Sequence, residues 1–116
     1  MRAITASQAH DIRTAVRDAD RLSGLRFAVY LGPARGRARQ FAERLHAALG
    51  DDRAVLIFVD PDARALEIVT GPRARARLSD GDCRLVAMSM ATTFSGGGLV
   101  TGLMRGLSAL ADHARL

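Results

Sequence analysis

Apolar and polar residues alternate along the chain with two different periods, which predict a mixture of helices and strands. Over residues 7–23, apolar residues recur every three or four positions and charged residues fill the other side, as in an amphipathic helix. We expect Ser7 to cap the start of this helix and Gly24 to end it, because serine accepts hydrogen bonds from first-turn amides and glycine tolerates a left-handed backbone. The apolar side carries Ile12, Ala15, Val16, Ala19 and Leu22.

Three shorter apolar stretches predict strands. Residues 25–31 are rich in aromatic and β-branched side chains, and residues 54–59 form a continuous apolar run, which is typical of a strand buried on both faces. Residues 66–70 follow after a short turn rich in aspartate and proline. A connection this short joins antiparallel strands and cannot hold a parallel crossover, so the second and third strands are predicted to form a hairpin.

Helical spacing returns between and after these strands. A helix over residues 35–49 separates the first two strands, which are therefore predicted to run parallel in a strand–helix–strand unit. A short turn or helix over residues 73–78 follows the sheet, Ser79 caps the next helix, and a last helix covers residues 99–114. The whole chain is thus predicted to form one α/β domain, in which a small central mixed β-sheet is sandwiched between helices in three α/β/α layers.

Composition narrows the function classes without naming one. The net charge is +5, and all 17 basic residues are arginine, which together with 21 alanines is typical of a high-GC bacterial genome. No apolar stretch could span a membrane and no signal peptide is recognised, so a cytoplasmic location is expected. Cys83 has no second cysteine to pair with and is interpreted as a partly buried small side chain. Arginines two apart fan around a helix and aromatic residues are few, which argues against nucleic acid as a partner.

Two kinds of charged residue are candidates for binding chemistry. Arg35 lies between the first strand and the second helix, where free backbone amides and the helix dipole favour an anion, and Arg73 is a second candidate for anion binding. Asp60 and Asp62 stand at the end of the central strand, where two carboxylates could hold a hard cation, and Asp80 offers another carboxylate. These residue types are also typical of solvated turns and helix caps, and both interpretations stay open.

Four stretches are compared in order, namely residues 27–31, the strand pair 55–60 and 66–71, residues 78–80 and residues 94–110. Together they resemble the TPM domain, a module named after thylakoid and membrane-associated proteins, and especially its short bacterial relatives. The last stretch carries the family's phenylalanine and glycine motif as Phe94, Gly97, Gly102 and Leu103. The family's Asp-Tyr within that motif is replaced here by glycine and leucine at positions 98 and 99. The resemblance covers residues 24–114.

The resemblance implies an α/β sandwich with a central mixed sheet, in agreement with the periodicity. Some members of the family are associated with acid phosphatase activity and with calcium bound by acidic residues near strand ends. The matching acidic positions here are Asp60 and Asp80, with Asp62 nearby, and the loss of the Asp-Tyr pair removes one expected carboxylate. The glycines that the resemblance marks as structural are Gly71, Gly97 and Gly102.

The missing carboxylate favours a non-catalytic binding module that recognises a partner protein or a small anion. The alternative is a divalent-metal-dependent phosphatase acting on phosphomonoesters. In that alternative, Asp60, Asp62 and Asp80 hold Ca²⁺ or another divalent cation. Arg35 or Arg73 then clamps the phosphoryl oxygens. The exposed edge of the last strand could pair with a second chain, but no residue pattern fixes an oligomeric state.

Overall fold

A three-stranded sheet lies at the centre of the molecule, whose computed structural model describes residues 4–116. The strands are β1 (Arg26–Leu31), β2 (Ala54–Asp60) and β3 (Ala65–Thr70), in the spatial order β1-β2-β3. β1 and β2 are parallel, whereas β2 and β3 are antiparallel, with Ile57 opposite Ile68. All three predicted strands and the predicted hairpin are confirmed to within one residue at each end.

Helices cover both faces of this sheet and confirm the predicted α/β sandwich. Three of them, α1, α4 and α5, share an apolar core with one face, and α2 packs on the other face. Within residues 4–116, no helix combines the length and the apolar character needed to cross a membrane. The helices of this part of the chain are α1 (Ala6–Ser23), α2 (Ala38–Leu49), α3 (Pro72–Arg75), α4 (Asp80–Ser95) and α5 (Leu99–His113).

Alternate residues of β2 supply both apolar cores, because successive side chains of a strand point to opposite faces. Val55, Ile57 and Val59 pack with α1, α4 and α5. Leu56 and Phe58 pack with residues of α2. Every residue of β2 is buried, so the prediction of a strand buried on both faces is confirmed. β2 is the central strand, and β1 and β3 are the two edges of the sheet.

The start of α1 differs from the prediction. Thr5 is the capping residue in place of Ser7: its hydroxyl accepts a hydrogen bond from Gln8 N at 3.0 Å, and Gln8 Oε1 accepts one from Thr5 N at 2.9 Å. This reciprocal capping box satisfies two free amides and therefore starts the helix earlier than the apolar spacing suggested. The predicted end is confirmed, because Gly24 follows α1 with a left-handed φ of 73°.

The start of α2 differs as well and lies later than predicted. Gly36 has a left-handed φ of 80° and Arg37 has an extended backbone, so the residues after β1 form an irregular segment and the helix begins at Ala38. The start of α4 is confirmed. Ser79 Oγ accepts a hydrogen bond from Asp82 N at 3.1 Å, and Asp82 Oδ2 accepts one from Ser79 N at 3.1 Å.

Candidate binding site

The three acidic residues proposed for metal binding lie on different elements. Asp60 ends β2 and is buried, and its Oδ1 accepts a hydrogen bond from Ala63 N at 3.2 Å within the β2–β3 turn. Asp62 is exposed in the same turn, whereas Asp80 begins α4 beyond the far end of β3. Among residues 4–116, no three histidine, cysteine or acidic side chains form a group that could hold a metal ion. Metal binding by these residues stays a prediction.

The two arginines proposed for anion binding lie at opposite ends of the sheet. Arg35 is exposed in the segment that follows β1, and its carbonyl oxygen accepts a hydrogen bond from Arg44 Nη2 at 3.3 Å. Arg73 is exposed on α3, and its backbone N–H donates to Asp52 O at 3.1 Å, beside the start of β2. One small anion therefore cannot contact both side chains, and each remains a separate prediction.

The glycines marked by the family resemblance occupy close approaches or an unusual backbone. A Cβ on Gly71 would lie 2.3 Å from Asp52 O, and one on Gly102 would lie 2.5 Å from Phe94 Cε1. Gly97 has a positive φ of 90°, in the turn between α4 and α5. At the first two positions a side chain would force neighbouring atoms to move.

A groove of about 450 Å³ runs beside the outer edge of β3. Leu66, Glu67 and Ile68 of β3 form one part of its lining, and Arg39 of α2 lines the groove beside them. The opposite wall is α4, through Asp80, Cys83, Arg84 and Ala87. We call this feature the β3 groove. It is a candidate binding site because it combines apolar side chains with charged side chains of both signs.

The backbone of β3 turns every second residue toward this groove. Gly71 N donates to Ala54 O at 2.9 Å, and hydrogen-bonded pairs alternate along an antiparallel ladder. Glu67 and Val69 therefore bond to β2, whereas the N–H and C=O groups of Leu66, Ile68 and Thr70 point away from the sheet. The outer edge of β3 thus offers backbone hydrogen-bonding groups at three positions.

Two arginines already occupy part of this edge. Arg39 Nη1 donates to Ile68 O at 3.0 Å, and Arg75 Nη2 donates to Thr70 O at 2.6 Å. Leu66, nearest the β2–β3 turn, has no hydrogen bond to its outward backbone groups from any residue in 4–116. The edge is therefore capped toward α3 and open at Leu66.

The charged side chains of the groove fall into two groups. Arg39 is held in place, because its Nε lies 3.2 Å from Glu43 Oε2 and its Nη1 lies 3.3 Å from Glu67 Oε1. Asp80 and Arg84 are exposed on α4, one helical turn apart, and neither side chain has a hydrogen bond or ion pair with another residue of the described chain. An incoming ligand would therefore meet one carboxylate and one guanidinium that have no ion-pair partner within residues 4–116.

The thiol of Cys83 is the one group of the groove with nucleophilic chemistry in principle. It is buried, and burial together with the nearby charges of Asp80 and Asp82 raises its pKa to about 11. Arg39 acts in the opposite direction and only partly offsets the shift. A protonated thiol at neutral pH is a poor nucleophile, so the groove suits binding better than covalent chemistry.

The sequence indicated only part of this site. It predicted the edge strand, which is confirmed. Arg39 and Glu43 are four residues apart on α2, which is the spacing of the ion pair that they form. The sequence did not predict the contact of Arg39 with Ile68 O, because that contact joins two elements whose distance apart is set by the packing of α2 on the sheet. The signal that could have found the open edge is the alternation of β3 itself, which fixes the outward residues once the hairpin is assigned.

A family profile described as Domain of unknown function (DUF5130) matches residues 3–111 of the chain. Two curated relatives, the uncharacterized proteins Rv2468c and MT2543 of two Mycobacterium tuberculosis strains, are each 34% identical over 90 residues. The aligned region covers 74% of this chain and 52% of each relative, so the chain spans about half the length of the curated relatives it matches.

Several solved structures share the fold. The BA42 protein from the psychrophilic bacterium Bizionia argentinensis superposes with a TM-score of 0.86 at 20% identity, covering 97% of this chain and 82% of that one. The N-terminal domain of a P. gingivalis protein gives 0.82 at 22% identity, covering 95% and 75%. The N-terminal domain of the cg2496 protein from Corynebacterium glutamicum gives 0.80 at 13% identity, covering 96% and 74%. At these identities the likeness shows the fold alone, and the TPM resemblance stays a prediction from the motifs.

Proposed function

This chain belongs to the DUF5130 family, and from its geometry we propose that it is a non-catalytic binding module that holds an extended peptide segment of a partner protein in the β3 groove. The observation that carries the proposal is the open backbone edge at Leu66 inside a groove of about 450 Å³. An extended peptide that pairs with an exposed strand gains main-chain hydrogen bonds that do not depend on its sequence. These bonds supply affinity, and the side chains of the groove supply selectivity.

The charges on α4 define the kind of peptide that fits. Asp80 and Arg84 are separated by one helical turn, so their Cβ atoms lie about 6 Å apart. Residues two apart on one face of an extended strand lie about 7 Å apart. A peptide with a basic and an acidic residue two positions apart can therefore pair with Asp80 and Arg84 together, while an apolar residue contacts Leu66 and Ala87.

The arginine caps limit the length of the bound segment. Arg39 and Arg75 donate hydrogen bonds to the carbonyl oxygens of Ile68 and Thr70. A peptide therefore pairs mainly at the end of β3 that carries Leu66. The same caps oppose the indefinite strand-on-strand pairing to which a bare edge strand is prone. The proposed site is therefore a short recognition edge with few hydrogen bonds, which suits a weak and reversible interaction.

Selection of a random linear heptapeptide library against the folded protein tests the proposal. Selected peptides should carry opposite charges two positions apart, and on addition of peptide the largest amide shift changes in ¹H–¹⁵N spectra should fall at Leu66, Ile68 and Arg84. Leu66→Pro removes an outward N–H without removing a bond to β2 and should weaken binding by about 10-fold or more, which corresponds to about 1.4 kcal/mol.

Charge reversal gives the matched control. Arg84→Glu should also weaken binding, whereas Arg105→Glu should not, because Arg105 is exposed on α5 and outside the β3 groove. Thermal unfolding of each variant confirms that the fold is intact before binding is compared. The proposal is wrong if no peptide is selected, or if selected peptides bind the folded Leu66→Pro and Arg84→Glu variants as tightly as the parent protein.

A further inference from the structure

A second cleft, of about 200 Å³, lies between α4 and α5 and shares no lining residue with the β3 groove. We call it the α4–α5 cleft. Gly102 and Gly106 of α5 contribute backbone without side chains to its lining. Val86 and Met90 of α4, which also line it, are buried. The inner part of the cleft is therefore apolar.

Arg105 brings a positive charge to this lining from α5. Its guanidinium makes no hydrogen bond or ion pair with any residue between 4 and 116. The sequence explains this, because the residues three and four positions away on α5 are uncharged and residues 85–104 include no charged side chain. The second basic residue of the lining, His113, does have a partner, since its Nδ1 lies 3.6 Å from Asp82 Oδ1. None of the described residues that line the cleft is acidic.

A hydroxyl group of α4 lies near Arg105. Met90 of α4 and Gly106 of α5 face each other across the two helices, because a Cβ on Gly106 would lie 2.3 Å from Met90 Sδ. Ser89 and Arg105 are the residues that precede them, and both line the cleft. The Ser89 hydroxyl makes no hydrogen bond with any residue of the described chain. The two helices therefore offer a ligand two hydrogen-bond donors that the protein itself does not use.

We infer that the α4–α5 cleft binds a small organic carboxylate. The carboxylate group accepts hydrogen bonds from Arg105 and Ser89, because a planar guanidinium matches the two oxygens of a carboxylate. The apolar part of the ligand contacts Val86, Met90 and Ala109. Inorganic phosphate fits less well, because the apolar side chains give its other oxygens no hydrogen-bond donor.

The volume of the cleft limits the size of the apolar part. A protein cavity of about 150 Å³ holds one benzene molecule. The α4–α5 cleft, at about 200 Å³, therefore has room for one six-membered ring and a carboxylate group. Met90 suits a ring at this place, since thioether sulfur makes favourable contacts with the edges of aromatic rings. Benzoate is the simplest carboxylate of this kind and is the probe for the test.

Titration with benzoate, followed in ¹H–¹⁵N spectra, tests the inference. Amide shift changes should be saturable, with half-saturation at about 1 mM, and largest at Ser89, Arg105 and Gly106. Benzamide has the same shape without the charge and should bind about 10-fold more weakly or less, as should inorganic phosphate. The inference is overturned if benzoate gives no saturable change up to about 10 mM, or if benzamide or phosphate binds as tightly as benzoate.

Substitution of one arginine locates the charge that holds the ligand. Arg105→Gln should weaken benzoate binding by about 10-fold or more. Its melting temperature should stay that of the parent protein, because Arg105 is exposed and makes no hydrogen bond or ion pair within residues 4–116. Arg13→Gln is the matched control: Arg13 is exposed on α1, has no such partner in the described chain and lies outside the cleft, so this variant should bind benzoate as the parent does.

Equal benzoate affinities of Arg105→Gln and the parent protein would overturn the inference, and so would an equal loss of affinity in Arg13→Gln, which would indicate a response to net charge alone. Arg105 lies outside the β3 groove. Arg105→Gln should therefore keep its affinity for selected peptides, and the proposals for the two sites fail separately.

Discussion

At the scale of a single residue, Cys83 shows how burial sets the chemistry of a side chain. Burial is the largest cause that raises its pKa from an ordinary 9.0 to about 11, followed by the charges of Asp80 and Asp82. The folded chain therefore keeps the thiol proton over a range of pH in which the unfolded chain releases it. Below that range both states hold the proton, and ionisation of the thiol does not change the free energy of unfolding.

We expect the free energy of unfolding to fall as pH rises from about 9 to about 11, because ionisation of the thiol in the unfolded chain draws the equilibrium toward unfolding. Urea denaturation at steps of about one pH unit across this range measures the change. Cys83→Ala should show a shallower fall, since every other titratable group is common to both proteins. Identical pH dependences for the two proteins would rule out this account of the thiol.

At the scale of elements, α4 and α5 approach closely because glycine faces the other helix. Gly102 is buried in α5, and a Cβ there would lie 2.5 Å from Phe94 Cε1 and 2.7 Å from Phe94 Cδ1. An aromatic ring cannot bend away from such a contact, so either the ring or the helix must shift. Gly81 in α4 is a matched control, since the nearest atom to its Cβ would be Ser79 Oγ at 3.7 Å.

Gly102→Ala should lower the free energy of unfolding by about 1–3 kcal/mol, which is the usual cost of overpacking a filled core. Gly81→Ala should leave it unchanged or raise it by up to about 1 kcal/mol, because alanine is the better helix former. Urea denaturation of both variants gives the comparison. If Gly102→Ala were as stable as Gly81→Ala, the distance between α4 and α5 would not be set by glycine.

At the scale of the whole molecule, the local pattern of apolar and turn residues predicted the helices and strands, whereas packing determined which side chains meet in the candidate site. The continuous run of β2 and the four-residue turn after it were enough to predict the hairpin, because both signals are local. The cap at Thr5 was missed because apolar spacing gives no sign of a capping hydrogen bond. The late start of α2 was missed because apolar spacing gives no sign of the left-handed backbone of Gly36. The contacts of the candidate site were harder to predict from the sequence. Arg39 and Ile68 are 29 residues apart, and only the packing of α2 brings them together.

Contacts between residues far apart in the sequence also join the C-terminal ends of α1 and α5. Arg77, between α3 and α4, donates from Nη1 to Ser23 O at 2.7 Å and from Nη2 to Ala114 O. Ser23 ends α1 and Ala114 follows α5, so one guanidinium satisfies carbonyl oxygens at the negative ends of two helix dipoles. A second link joins the same ends, because Leu116 N donates to Leu22 O at 3.3 Å.

Arg77→Ala should therefore lower the free energy of unfolding by about 1.5–3 kcal/mol, the range for hydrogen bonds made by a charged group. Arg77→Lys should recover only part of the loss, because one ammonium lacks the fork that reaches both carbonyl oxygens. Arg73→Ala is the control: its side chain is exposed and makes no hydrogen bond or ion pair within residues 4–116, so its effect should stay within about 0.5 kcal/mol. Urea denaturation separates the three variants. If Arg77→Ala and Arg73→Ala cost the same, the ends of α1 and α5 are held by apolar packing alone, and the guanidinium adds nothing to the closure of the helix layer.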